Sequence, residues 1–377
     1  MTSRSAASAV LRGRLVLEDR IEPGVVRIDE GWIVAVEPDR EAAEGPYVVP
    51  GFVDVHVHGW GGNDAMDGPD ALAGMARALL RRGVTSFLPT AVTAPLDDLA
   101  RFADGVRRWV PSAPDDGAQP LGFNLEGPFL AEARRGAHDP RALRVPSDVA
   151  FETLEPLLDG LRVMTVAPEL EGALELVAWL DRHGVIASLG HSAADLVASR
   201  SGFDAGARST THLFNAMTGL HHREPGLALA ALTEDAAYAE LIADGHHVHA
   251  ALWPLIALAK PRHRLLLVSD AISLAGTTRT SARLGGLDVE IRDGRCVVAG
   301  SGALAGSLIA LDSAVANLIA AGVAVPDAVE AASRNPLEML GMTDRGRIAA
   351  GLRADLVELD DRRQVVGVIR GGRRVEA

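Results

Sequence analysis

Cysteine and lysine are almost missing from this 377-residue chain: each occurs once, as Cys296 and Lys260, against 36 arginines. A single cysteine excludes an internal disulfide framework and a cysteine-based zinc site, and it suits a reducing cytoplasm. A single lysine leaves one candidate for a Schiff base, a phosphate-loop lysine or a carboxylated-lysine metal bridge. Lys260 follows the apolar stretch 251–259 and precedes Pro261, which predicts a cation at an exposed helix C-terminus instead. Positive charge is also short. Lys plus Arg number 37 against 50 Asp plus Glu, a net charge of −13. With a pI near 5.4, nucleic acid and anionic membrane surfaces are poor partners. No apolar run approaches the ~20 residues of a membrane span. Residues 1–10 are rich in Ser and Ala without a long apolar stretch, so no secretion signal is expected.

What is abundant is apolar residues, 48% of the chain, which supports a large core and excludes global disorder. At ~150 residues per domain the length fits two or three domains, or one barrel with a small appendage. Both ends read as short strands broken by turn residues: 11–17, 24–28 and 31–36 at one end, 354–359, 364–369 and the segment from Gly371 at the other. The middle alternates. Strands are expected at 52–57, 84–89, 121–125, 162–167, 185–189, 209–213, 238–243 and 265–269, with helices at 70–82, 96–110, 170–183, 193–202 and 249–260. Eight strands with helices between them imply an α/β chain built on a (β/α)8 TIM barrel. The open doubly wound sheet is the alternative, and no phosphate-type glycine fingerprint follows the first middle strand to favour it. The expected division is a small β-sandwich domain from residues 1–50 and 345–377, and a barrel over 51–344. A β-hairpin insertion is expected near 276–305, before a last helix at 308–321.

Ten of the twelve histidines fall at or just after expected strands: His56, His58, His138, His191, His212, His221, His222, His246, His247 and His249. In a barrel these positions form the catalytic face. His56 and His58 alternate at the end of the first strand, so period 2 places both imidazoles on one face, as a metal pair requires; two satisfied core histidines are the alternative. Glu126 ends the third strand, His191 the fifth and His212 the sixth. Each alone is weak, and Glu126 could simply cap a turn. Together they are four histidines and a carboxylate at one mouth, which a divalent cation satisfies at once. Zn²⁺ suits this donor set, with Fe²⁺, Mn²⁺ and Co²⁺ as alternatives. Asp270 ends the eighth strand, as a proton shuttle or as a helix N-cap. The segments His221-His222-Arg223 and Asp244-Gly245-His246-His247 carry donors suited to an anionic substrate group, or form solvated loops.

The segment Pro50-Gly51-Phe52-Val53-Asp54-Val55-His56-Val57-His58 resembles the entry strand of the amidohydrolase superfamily. Leu125-Glu126-Gly127-Pro128-Phe129, Gly136-Ala137-His138-Asp139-Pro140, Gly190-His191-Ser192, Thr211-His212-Leu213-Phe214-Asn215-Ala216-Met217, Arg223-Glu224-Pro225-Gly226, Ile242-Ala243-Asp244-Gly245-His246-His247-Val248 and Val268-Ser269-Asp270-Ala271 resemble the N-acetylglucosamine-6-phosphate deacetylases within it. The order is kept along nearly the whole chain. The resemblance implies that Glu126, His191 and His212 hold the principal metal and that Asp270 is general base and then acid. It implies that His138 and Ala137 touch the sugar or its acetamide, and that Asn215, Ala216, Arg223 and His247 bind the sugar phosphate. Arg223 would reach across a homodimer interface into the neighbouring site. Leu304-Ala305-Gly306 matches a substrate loop in which the family often has Ser at the Ala305 position. Some members lack the His-x-His pair and use one metal. Here His56 and His58 are present, so one or two ions per subunit are open, with Glu126 as the bridge that the misplaced lysine cannot be.

The implied reaction is hydrolysis of the acetamide of N-acetyl-D-glucosamine 6-phosphate, in the cytoplasm. The rivals are another phosphorylated amino sugar, such as N-acetylgalactosamine 6-phosphate, and a cyclic amidase or deaminase, against which the Arg223 segment speaks. A barrel that has become a non-enzymatic assembly protein would lack histidines or the aspartate, and all are present.

Overall fold

The computed structural model describes residues 8–375; of the Ser/Ala-rich opening, residues 1–7 lie outside the described residues. Eight parallel strands run in chain order across one sheet: Phe52–Val57, Val84–Val92, Phe123–Glu126, Leu161–Val166, Ile186–Leu189, Ser209–Thr210, Tyr238–Leu241 and Leu265–Leu267. A short strand, Gln119–Pro120, adds to the second. The order has no switch point, as a barrel requires and a doubly wound sheet does not allow. The seam between the eighth and first strands is bridged at the C-terminal end, where the Asp270 N–H donates to the His56 carbonyl at 2.8 Å. All eight expected strands are present, their ends shifted by up to three residues.

Side chains from six strands meet in one cluster, including Val53, Leu88, Val163, Ile186, Tyr238 and Leu266, and only the barrel interior brings those strands together. Period 2 puts the next inward residues one layer up. On four of the six strands the side chains there turn polar: Leu88 is followed by Thr90, Val163 by Thr165, Ile186 by Ser188 and Tyr238 by Glu240, and on the eighth strand Val268, above Leu266, is followed by Asp270. The interior therefore grades from an apolar base to a polar mouth.

The helices pack outside. Leu96–Trp109 shows why such segments are helical: Leu99, Phe102, Ala103 and Val106 are buried at helical spacing, with Asp97 and Asp98 in the first turn and Arg107 and Arg108 in the last. The helix Leu227–Thr233 was not expected from the sequence. Its residues LALAALT are almost all buried, so no polar face exists to show a period.

Lys260 corrects an expectation. It follows the helix Trp253–Ala259, yet it is buried rather than exposed. Its ammonium donates to the carbonyls of Ala231, at 2.7 Å, and Glu234. It thus serves the C-terminus of the neighbouring helix Leu227–Thr233, where bare carbonyls and the helix dipole favour a cation.

The insertion has three strands, not the two of a hairpin: Ser281–Leu284, Leu287–Arg292 and Arg295–Val298. Its Leu284, Val289 and Cys296 pack with Val92, Ile272 and Ala305, which sets it as a wall on the barrel mouth. The strands of the two chain ends form one seven-stranded sheet, in the order Arg373–Val375, Val365–Arg370, Leu356–Leu359, Tyr47–Pro50, Ala9–Val16, Ile21–Asp29, Trp32–Pro38. It rolls over its own core of Leu15, Val26, Ile33, Val48 and Leu356, and its far side returns to meet Arg353, which bridges Trp32. No helix among the described residues is long and apolar enough to cross a membrane.

Candidate active site

Five of the ten mouth-side histidines converge. At the end of the first strand, irregular pairing with the second strand accompanies the turn of His56 and His58 to one point, their Nε2 atoms 3.3 Å apart. The Nε2 atoms of His191 and His212 lie 3.0 Å apart. Glu126 sits between the pairs. Its Oε1 is 3.0 Å from His191 Nε2 and 2.9 Å from His212 Nε2, and its Oε2 is 3.2 Å from His58 Nε2. Asp270 Oδ1 is 3.2 Å from His58 Nε2 and 3.6 Å from His56 Nε2. Two triads result, His56/His58/Glu126 and Glu126/His191/His212, all buried and sharing one carboxylate. Asp270 caps no helix; it stands at φ +49°, a left-handed conformation that a non-glycine residue holds only where its surroundings impose it.

The ring protons show what the cluster is for. A neutral imidazole has one N–H, and its partner decides which nitrogen carries it. His58 Nδ1 faces the Thr90 carbonyl at 3.1 Å, His191 Nδ1 the Arg134 carbonyl at 2.8 Å, and His56 Nδ1 the Glu240 carboxylate at 3.0 Å. Those partners only accept, so each Nδ1 donates and each Nε2 keeps a bare lone pair aimed inward. Bare lone pairs and a carboxylate facing one another at about 3 Å repel unless a cation lies between them. The residues present therefore fit a divalent metal. His138 is arranged the opposite way. The Thr93 N–H donates to its Nδ1 at 3.2 Å, so its neutral ring presents Nε2–H, a donor rather than a ligand.

Electrostatics agree. Burial lowers His56, His58 and His212, but the carboxylates reverse it. Glu240 and Glu126 hold His56 well above its usual value, and Asp270 and Glu126 bring His58 up to about 9. His191 is pushed down to about 4, chiefly by burial. Burial opposes ionisation of Glu126 and Asp270, yet the histidines hold both below the carboxylate range. The cluster is short of positive charge and draws in protons where a metal would sit.

A cavity of about 310 Å³ opens above it, lined by His138, Ala137, Asn215, Ala216, His247, Leu304 and Gly306 among others. His247 is oriented through Nδ1 by Asp244 Oδ2 at 2.7 Å. Two expected substrate residues are not brought there. Ala305 is fully buried against the insertion, and its neighbours Leu304 and Gly306 face the cavity. Arg223 is exposed and its guanidinium lies on His222 Nε2 at 2.9 Å, away from this chain's cavity. His221 and His249 accept main-chain N–H groups in surface turns.

Sequence reasoning missed three residues. Arg134 lines the cavity, carries the carbonyl that orients His191, and its guanidinium has no partner among the described residues. Asp54 is buried beside the cluster, accepting from the N–H groups of His56 and Ser269 at 3.3 Å each; burial raises it to about 7. Glu240 is buried on the seventh strand. An acid in a wholly buried strand was the available signal for both carboxylates.

A family model described as "Amidohydrolase family" matches residues 47–375. The chain belongs to the amidohydrolase family. This amidohydrolase is 40% identical over 370 residues to an N-acetylgalactosamine-6-phosphate deacetylase of Escherichia coli O157:H7, covering 93% of this chain and 95% of that one. It is 35% identical over 353 residues to the N-acetylglucosamine-6-phosphate deacetylase of Bacillus subtilis, covering 89% of each. A solved N-acetyl-D-glucosamine-6-phosphate deacetylase of Mycobacterium smegmatis, an Asp-to-Ala mutant in complex with N-acetyl-D-glucosamine 6-phosphate, superposes with a TM-score of 0.91 at 35% identity, over 98% of this chain and all of that one.

Proposed function

We propose that this amidohydrolase removes the acetyl group of N-acetyl-D-glucosamine 6-phosphate, giving acetate and D-glucosamine 6-phosphate. The carrying observation is the convergence of two His/Glu triads and Asp270 beneath a cavity lined by Arg134, Asn215 and His247. The substrate class follows the named relatives, which match the chain over nearly its whole length.

Glu126, His191 and His212 would hold one divalent cation, Zn²⁺ first by donor type with Fe²⁺, Mn²⁺ and Co²⁺ as alternatives, and His56, His58 and Glu126 a second; when bound, it supplies Lewis acidity to the acetamide and to water. Asp270 takes the proton of the attacking water and returns it to the departing sugar nitrogen. One carboxylate serves both steps because the first recharges it for the second. His138 donates its Nε2–H to the carbonyl oxygen as negative charge builds there. Ala137 sits beside it against the acetamide, and Leu304 and Gly306 close the far wall. Asn215, Ala216, His247 and Arg134 receive the phosphate. Arg223, turned outward on this chain, serves the site of a second copy in a homodimer. A phosphorylated sugar does not cross a membrane unaided, which supports a cytoplasmic enzyme.

Acetate release is the test, from the zinc-loaded protein with N-acetylglucosamine 6-phosphate beside the unphosphorylated sugar. Rapid release from the phosphorylated sugar alone is expected. Equal rates for both would remove the phosphate site. The Escherichia coli relative favours one rival substrate, N-acetylgalactosamine 6-phosphate, and a higher kcat/KM for that epimer would replace the first choice.

A further inference from the structure

We propose that Glu240 is the positioning residue that turns the His-x-His pair into a metal-holding pair and ties it to the second triad, an inference that rests on the metal-dependent mechanism above. Glu240 lies in the middle of the seventh barrel strand, Tyr238–Leu241, and is 1% exposed. One of its oxygens does two things. Oε2 accepts from His56 Nδ1 at 3.0 Å and from the main-chain N–H of His212 at 3.1 Å. His56 belongs to one triad and His212 to the other.

The first bond fixes a lone pair. With its proton on Nδ1, His56 must present Nε2 to Glu126 and His58. His58 and His191 receive the same treatment from main-chain carbonyls. A carboxylate in that place is the stronger acceptor and makes the ring the more basic ligand. The second bond fixes a backbone. His212 stands at φ +27°, followed by Phe214 at +75° and Ala216 at +48°, conformations that need support from their surroundings. The Glu240 side chain holds His212, and its own carbonyl accepts the Leu213 N–H at 2.8 Å. Apart from the cluster that its Nε2 faces, the His212 ring has no anchor among the described residues, since its Nδ1 has no hydrogen-bond partner there. Its aim at Glu126 therefore depends on the backbone that Glu240 grips.

The remaining oxygen, Oε1, has no hydrogen-bond partner among the described residues. A buried carboxylate with a bare oxygen is unfavourable for stability; an apolar side chain at this point of the barrel would be the stabilising choice. Its presence is explained by what Oε2 orients.

The test is to count and titrate Co²⁺ bound by the metal-stripped wild type, Glu240→Ala and Glu240→Gln, with the visible absorption of bound Co²⁺ as the signature. The wild type is expected to bind two ions. Glu240→Ala should bind the ion of His56, His58 and Glu126 roughly 10–100-fold more weakly, the range for lost outer partners of metal ligands, and the ion of Glu126, His191 and His212 more weakly by a smaller factor, because there only a main-chain grip on His212 is lost. Glu240→Gln places an amide oxygen where Oε2 stands and its NH₂ where Oε1 has no partner, so it should bind both ions within a few-fold of wild type. Far-UV circular dichroism of the stripped proteins checks that each is folded, and the Gln variant keeps the test valid if Ala does not fold. Two ions at wild-type affinity in Glu240→Ala, a Gln variant as weak as Ala, or a wild type that binds only one ion each overturns the inference. A wild type that binds none overturns the metal-dependent mechanism instead.

Discussion

Two clusters of buried charge lie at opposite ends of this barrel, and only one of them is balanced. At the base, Arg345 reaches Asp344 Oδ2 at 2.8 Å, Gln119 Oε1 at 2.8 Å and Asp355 Oδ2 at 3.3 Å. Arg353 lies 3.3 Å from the other oxygen of Asp355, which also accepts the Gly371 N–H. Each acid there meets an arginine, and the network fastens the terminal sheet to the barrel. At the mouth, Glu126, Asp270, Glu240 and Asp54 meet histidines and main-chain N–H groups, with no arginine or lysine paired to them among the described residues. Buried charge persists only where it is compensated. The base is compensated by the chain itself. The mouth is left for an external cation, and without one it raises the affinity of His56 and His58 for protons.

That contrast is open to experiment. Asp270→Asn should lower kcat by more than about 100-fold, the scale of a lost general acid–base group, while bound metal and Tm stay near wild type. A large fall in Tm with turnover preserved would mean that the mouth, like the base, exists for stability. Arg345→Met should do the reverse. It leaves the buried Asp355 with Arg353 and the Gly371 N–H and returns the half-exposed Asp344 to water, so the loss should stay below the about 3–5 kcal/mol of a fully broken buried pair, seen as an earlier urea midpoint. The folded fraction should retain wild-type kcat/KM, and a selective loss of turnover would show that the base reaches the chemistry. The smallest effect concerns Lys260, a third buried charge, compensated by carbonyls alone. Burial lowers it from 10.5 to about 8. Between those values the unfolded chain binds its proton and the folded chain does not, so its contribution to stability rises with pH across that window. Relative to Lys260→Met, the wild type should gain in urea midpoint from pH 8 to pH 10; a falling difference would mean that the buried amine stays charged.

Barrel, terminal sheet and most of the mouth were legible in the chain because their signals are local. Alternating strands and helices need only periodicity, and His56, His58, Glu126, His191 and His212 each end a strand whose end was readable. Glu240 was not legible. Its strand is buried on both faces, so the usual polar-apolar alternation does not say which residues point inward. Lys260 misled because its helix was read alone, whereas its ammonium serves the carbonyls of a neighbouring helix that has no polar face to show its period. A motif does not carry the direction of a side chain, so it did not say that Ala305 turns away from the cavity while Leu304 and Gly306 face it.

The amino-acid order alone thus determined the elements, their succession and the inventory of ligands, since helical and strand periods and strand ends are properties of neighbouring residues. Which nitrogen of each histidine holds its proton, which acid orients His56 and His212, and which arginine faces the cavity were decided by the closing of the barrel. Those properties depend on partners brought from strands as far apart as Phe52–Val57 and Tyr238–Leu241, and only tertiary contact supplies them.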